Sequence, residues 1–134
     1  MLRKYSFIPF ASIPLILFCT LCLAGDAKTD QKPSILIVQS YAKGEGCGGR
    51  LEVGMIAELK RLGYEDGKNI VVHHFYMDTR TKYVSPKDRR MRGKLAIRKA
   101  QELKPTVLVI FDDTAFRFVA LPLAKTSQQI VYGG

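Results

Sequence analysis

Cysteine, histidine and acidic residues are all scarce in this 134-residue chain, and each shortage removes a class of chemistry. There are three cysteines. Cys19 and Cys22 have C-x-x-C spacing but lie in an almost wholly apolar stretch, away from the strand–helix setting of a redox pair. Only Cys47 stands outside that stretch, so neither an intramolecular disulfide nor a cysteine-based metal site is expected. The two histidines, His73 and His74, are adjacent. On a strand they point to opposite faces, so they cannot ligate one metal as neighbours. The G-x-x-x-x-G-K-[ST] phosphate loop is missing, and no G-x-G-x-x-G is followed by a ribose-binding acid. Gly44 to Gly49 matches a phosphate cradle only in glycine content. No serine or cysteine has a visible base partner, and no internal repeat is found. These absences predict a protein that is not an enzyme and needs no cofactor and no metal.

Acids number 12 against 21 lysines and arginines, giving a net charge of +9. Residues 1–27 hold Arg3, Lys4 and Asp26, a net +1, which leaves +8 for the rest. Such a balance permits an anionic partner. The basic run from Lys82 to Lys99 lies mainly opposite an apolar stripe, however. It reads as a solvated helix face, and nucleic acid is not expected as a partner.

The N-terminus is organised as an export signal. Arg3 and Lys4 precede the apolar stretch Phe7 to Ala24, and small residues follow at Gly25 and Ala27. Basic, apolar and small-residue regions in that order mark a secretory signal. Cleavage after Ala24 and cleavage after Ala27 both satisfy the small-residue rule. The stretch also approaches the roughly 18–20 residues that span a bilayer, so an uncleaved anchor is the competing reading. Pro9 and Pro14 interrupt it, and the polar stretch Asp26 to Lys32 follows at once, both favouring cleavage. The reading is therefore a signal peptide over 1–27 and a periplasmic or extracytoplasmic domain over 28–134.

That domain alternates strand and helix patterns. Ser34 to Gln39 is a short apolar run suited to a strand buried on both faces. Tyr41 to Gly49 reads as loop. Arg50 to Leu62 carries Leu51, Met55, Ile56, Leu59 and Leu62 at helical spacing, with Gly63 as its stop. Gly54 inside it is read as a point of close packing. Asn69 to Tyr76 is the second strand. Ser85, Pro86 and Asp88 form an N-cap, first-turn proline and favourable first-turn acid. Met91, Leu95, Ala96, Ala100 and Leu103 give that helix its buried side. Thr106 to Phe111 is the third strand, Ala115 to Ala124 a helix disturbed by Pro122, and Ile130 to Tyr132 the fourth strand. The order βαβαβαβ, without hairpin signals, predicts an α/β fold with a parallel sheet and helices on both faces.

Open parallel sheets bind ligands beyond the carboxyl ends of their strands. That rule selects Gln39-Ser40-Tyr41, Met77-Asp78-Thr79-Arg80, Asp112-Asp113-Thr114 and Gly133-Gly134. The candidate ligand contacts are Ser40, Tyr41, Met77, Asp78, Asp112, Asp113, Thr114 and Ala115. A carboxylate there suits a ligand amine or hydroxyl, and the Thr114 hydroxyl with nearby amides suits an anion. The competing role for Asp113 and Thr114 is helix capping. Tyr41 is suited either to stacking on a ligand or to covering the sheet edge. Catalysis by Asp112 and Asp113 as a pair is not expected, because adjacent side chains diverge.

ILIVQSYAKG at 35–44, ELKRLGYEDGKNI at 58–70, FYMDTR at 75–80, FDDTAFRFVALPL at 111–123 and IVYGG at 130–134 carry a resemblance. The chain resembles the substrate-binding proteins of ABC transporters with the type I periplasmic-binding-protein fold, and is similar above all to members that work with membrane sensor kinases. The resemblance implies that residues 28–134 are the first, incomplete lobe of a bilobed clamp. The carboxylate and the helix-start hydroxyl suit an amino-acid-like or similarly polar small solute, and the resemblance implies an ABC permease or a sensor kinase as membrane partner. It favours Ser40, Tyr41, Met77, Asp78 and Asp112 to Ala115 as ligand contacts. One departure is that sensor-like members place an aromatic near the first helix start, where this chain has Gly46-Cys47-Gly48. The implied function is extracytoplasmic solute binding for an importer; the alternative is the sensing domain of a histidine-kinase-type receptor.

Overall fold

The computed structural model describes residues 32–134. The signal-peptide reading therefore lies outside the described residues. Four strands form the fold's centre: β1 (Ser34–Gln39), β2 (Val71–Tyr76), β3 (Val107–Phe111) and β4 (Ile130–Gly133). All neighbouring pairs are parallel and the order is β2-β1-β3-β4. The α/β class with a parallel sheet is thus as expected.

Strand alternation sorts the core onto two faces. Leu36, Val38, Leu108 and Ile110 are wholly buried on one face, against Ala96 and Ala100 of α2 (Pro86–Leu103) and Ala115, Val119 and Leu123 farther along. Ile37, Val109 and Phe111 form a smaller cluster on the other face, joined by Met55 of α1 (Gly46–Arg61). Helices cover both faces unequally, two helical segments against one. At about 1.5–3 kcal/mol for each large aliphatic side chain buried, the α2 face is the main stabilising layer.

α1 starts at Gly46, four residues before the sequence-read start at Arg50, and takes in glycines expected to be loop. Packing explains the shift. A side chain at Gly48 would run into Asp112 and Phe111, and one at Gly49 into the backbone of Gly44. The glycines let the first turn of α1 lie directly on the strand ends. Gly54 does not serve this purpose, contrary to expectation: it is exposed with open space around it. Leu51, Ile56 and Leu62 are also exposed rather than buried, because α1 meets the sheet through Gly48, Gly49 and Met55 instead.

α2 begins and ends as its sequence dictates. The Ser85 hydroxyl accepts from the Asp88 amide at 3.1 Å, and Lys104 closes the helix in left-handed conformation. Met91 is 43% exposed and is not part of its buried side. The close approach occurs at Gly93, which faces Phe118 on the next helical segment. That segment runs from α3 (Asp113–Ala115) through a π-helical turn (Phe116–Ala120) into α4 (Leu121–Leu123). Pro122 has no N–H to give an α-helical bond. The preceding turn widens, with the Leu121 amide donating back to Phe116. Among the described residues no helix is long and apolar enough to cross a membrane.

Candidate functional site

β1 leads through α1 to β2 on one side, while β3 leads through the 113–123 segment to β4 on the other. The chain thus reverses its direction across the sheet between β1 and β3. Such switch points are where open α/β sheets take ligands, beyond the carboxyl ends of the strands.

Ser40 ties this point together. It is fully buried. Its hydroxyl donates to the Phe111 carbonyl at 3.1 Å and accepts from the Ala115 amide at 2.8 Å. Its own amide donates to the same Phe111 carbonyl, and its carbonyl accepts from both the amide and the hydroxyl of Thr79. One serine therefore caps a helix 75 residues away and clamps the ends of β1, β2 and β3. The expected local cap is not formed: Asp112 is the N-cap residue of α3 and makes no side-chain capping bond. The Ala115 and Phe116 amides are already engaged, by Ser40 and by the Asp112 carbonyl.

Asp112 is the unusual residue of the site. Its backbone sits at φ 67°, ψ 164°, a region that essentially only glycine occupies without strain. Its side chain is 8% exposed, and Oδ2 is buried without a hydrogen-bond partner. Burial pushes its carboxyl above the usual range; the Gly48 amide opposes that, and Asp113 adds to it. The carboxylate thus stands just beyond the end of β3, against the first turn of α1.

The other sequence-selected residues divide. Asp113 is exposed and accepts from the Tyr132 hydroxyl at 3.2 Å, and Thr114 is half-buried beside it. Tyr41 packs its ring against Gly46, and the Arg80 guanidinium lies 5.7 Å over it. Asp78 has φ 51° and holds a turn: its carboxylate accepts from the Thr81 hydroxyl and its carbonyl from the Lys82 and Tyr83 amides. Met77 and Ala115 are wholly buried in the larger core cluster, so their side chains serve packing. The switch point itself brings together Ser40, Asp112, Asp113, Thr114 and Ala115.

Two polar clusters escaped the sequence reading. Glu52 of α1 lies over the ends of β1 and β2. The Gln39 amide donates to it, the Tyr76 hydroxyl donates to it at 3.0 Å, and His74 Nδ1 lies 2.8 Å away. Gln39 is fully buried and its Oε1 has no partner. A glutamine closing an apolar strand and a glutamate on a helix's apolar side were the available signals. Second, Arg92 does not belong to a solvated face. It donates to the carbonyls of Tyr76 and Met77 and is sandwiched between the rings of Phe75 and Tyr83, each at 4.6 Å. The guanidinium caps the carboxyl end of β2, a contact that helical periodicity cannot reveal.

The Glu52 cluster has a measurable alkaline signature. Burial, reinforced by the Glu52 carboxylate, pushes the Tyr76 phenol up to about 12. The fold therefore favours the protonated phenol. That contribution is fully present below the unfolded value of 10 and is lost as pH rises through about 12. Urea unfolding across that window should show the wild type losing stability faster than Tyr76→Phe. Parallel curves for the two proteins would remove the assignment.

Among the described residues no group of three His, Cys, Asp or Glu side chains is placed to hold a metal ion. Compared with protein-family models, with curated proteins and with solved structures, the chain finds no significant match.

Proposed function

We propose that the β1–β3 switch point binds a small polar solute, and that the domain serves as one lobe of an extracytoplasmic solute-binding protein feeding an ABC importer. The observation that carries the reading is Asp112: a strained, nearly buried carboxylate with an unpartnered oxygen, at the position where a parallel sheet takes its ligands. Strain of this kind persists where the surroundings over-determine it, and it clusters at ligand sites. A carboxylate there matches an ammonium or hydroxyl group, with the Thr114 hydroxyl close in sequence on the adjoining helix start. The solute-binding class draws further support from the order and spacing of the motifs at 35–44, 75–80 and 111–123. No catalytic step is assigned, because no nucleophile–base pair accompanies Asp112. Small-molecule sites commonly bury about 70–90% of the ligand, so a second covering surface is part of the proposal.

The test is a thermal-shift screen of amino acids, polyols and other polar metabolites, followed by calorimetry. A hit should weaken about tenfold or more in Asp112→Ala, the loss expected when a charge-assisted hydrogen bond is removed, and should be unchanged in Lys99→Ala. Binding that is indifferent to Asp112 while the fold persists removes the reading.

A further inference from the structure

The basic run of α2 does not act as a unit. Arg92 is consumed in holding β2, whereas Arg89 and Arg90 turn toward the 113–123 segment. Together with Arg117, Thr114, Asp113, Pro86 and Phe118 they line a cavity of ≈ 290 Å³. Three arginines and one carboxylate thus line it, with the Arg117 guanidinium 5.5 Å over the Phe118 ring. Among the described residues the ion pairs are Arg61–Glu58, Lys68–Glu65 and His74–Glu52, and none involves these three arginines. Arg89 Nε is buried with no hydrogen-bond partner. The lining's one carboxylate, Asp113, is already occupied by the Tyr132 hydroxyl at 3.2 Å.

The placement of these charges is unfavourable in the chain alone. α2 begins at Pro86, so Lys87, Arg89 and Arg90 crowd its first turns against the single acid Asp88, which is bonded to the Ser85 hydroxyl, while its last turn has no basic residue. Cations at a helix start oppose the helix dipole. Arginines from two different helical elements also repel one another across a small cavity. A bound oxyanion reverses both effects, because guanidinium groups form charge-assisted, often bidentate, bonds to phosphate and carboxylate.

We infer that the cavity between the start of α2 and the 113–123 segment is a subsite for a phosphate group on a small ligand, held by Arg89, Arg90 and Arg117 with the Thr114 hydroxyl. Convergence from several directions suits a tetrahedral dianion better than one planar carboxylate. The cavity volume suits a small molecule rather than a polymer. The inference rests on the reading that the carboxyl edge of this sheet takes a small solute, and it gives that solute a charged group.

Titrate the full chain with inorganic phosphate by calorimetry at fixed ionic strength. One saturable site is expected. Arg89→Gln and Arg117→Gln should each weaken it about tenfold or more. Arg98→Gln and Lys99→Gln remove the same charge farther along α2 and should change it less than about twofold. Circular dichroism confirms that each variant is folded. Absence of saturation, or equal losses in all four variants, overturns the subsite, the second outcome marking diffuse attraction to a basic surface. Tighter binding of succinate than of phosphate overturns the phosphate assignment. Nucleic-acid binding that depends on these arginines, with no phosphate binding, also overturns it. The two readings fail separately. A neutral solute that depends on Asp112 and ignores Arg89 and Arg117 sinks the subsite and leaves the switch-point site standing. Phosphate binding that needs both arginines, together with polar solutes that bind regardless of Asp112, supports the subsite and counts against the switch-point site.

Discussion

Asp112→Gly should make the domain more stable and its solute binding weaker. A non-glycine residue at φ 67°, ψ 164° costs about 1–3 kcal/mol. Glycine relieves that strain but carries extra backbone entropy when unfolded, about 0.5–1 kcal/mol. The net gain is about 0–2.5 kcal/mol, with a mid-value of about 1 kcal/mol that corresponds to roughly 4–8 °C in Tm for a domain of this size. Asp112→Asn separates the causes, since asparagine keeps the strained backbone and removes only the charge. The pH dependence adds a second check. The folded state raises the Asp112 pKa, chiefly by burial, so it prefers the protonated acid. That preference is fully present below the ordinary carboxylate value and is lost as pH rises through the folded value. The advantage of the glycine variant should therefore be larger at neutral pH than in acid. Differential scanning calorimetry at both pH values decides the matter, and an unchanged or lower Tm refutes the strain argument. The same variant should lose about tenfold or more in solute affinity, because strain kept at a site trades against function.

A second large effect is expected at the helix contact. A Cβ on Gly93 would stand 2.6 Å from Phe118 Cβ and 2.9 Å from the Phe118 carbonyl oxygen. Backbone atoms cannot swing aside as a side-chain tip can, so α2 and the π-helical turn would have to separate. Overpacking of this kind costs about 1–3 kcal/mol, and alanine recovers about 1 kcal/mol through helix propensity. Gly93→Ala should lose about 0–2 kcal/mol. Gly93→Val, with more bulk and poorer propensity, should lose about 3 kcal/mol or more. Gly54→Ala is the matched comparison: open space surrounds that position, so propensity alone should add about 0.5–1 kcal/mol. Urea midpoints for the three variants test the contrast. Equal effects at Gly93 and Gly54 would falsify the account of helix packing.

What the sequence determined by itself is the content and order of the local elements. The four strands fall where short apolar runs predicted them, and α2 runs from its Ser85 cap to the residues before Pro105. These signals involve neighbours within about four residues, so periodicity and capping contain them. The parallel arrangement also followed, because helical crossovers between successive strands return the chain in the same direction. Only the tertiary structure decided where α1 begins, since that depends on Gly48 lying against Asp112. It also decided that Ser40, not Asp113, caps the helix after β3, and that Arg92 serves β2 rather than solvent. Ser40 and Ala115 are 75 residues apart, and Gln39 and Glu52 meet only when α1 lies across the sheet. No local pattern encodes such pairs. They exist because the β2-β1-β3-β4 order brings distant strand ends to one edge, where buried polar atoms must find partners from whatever chain lies nearest.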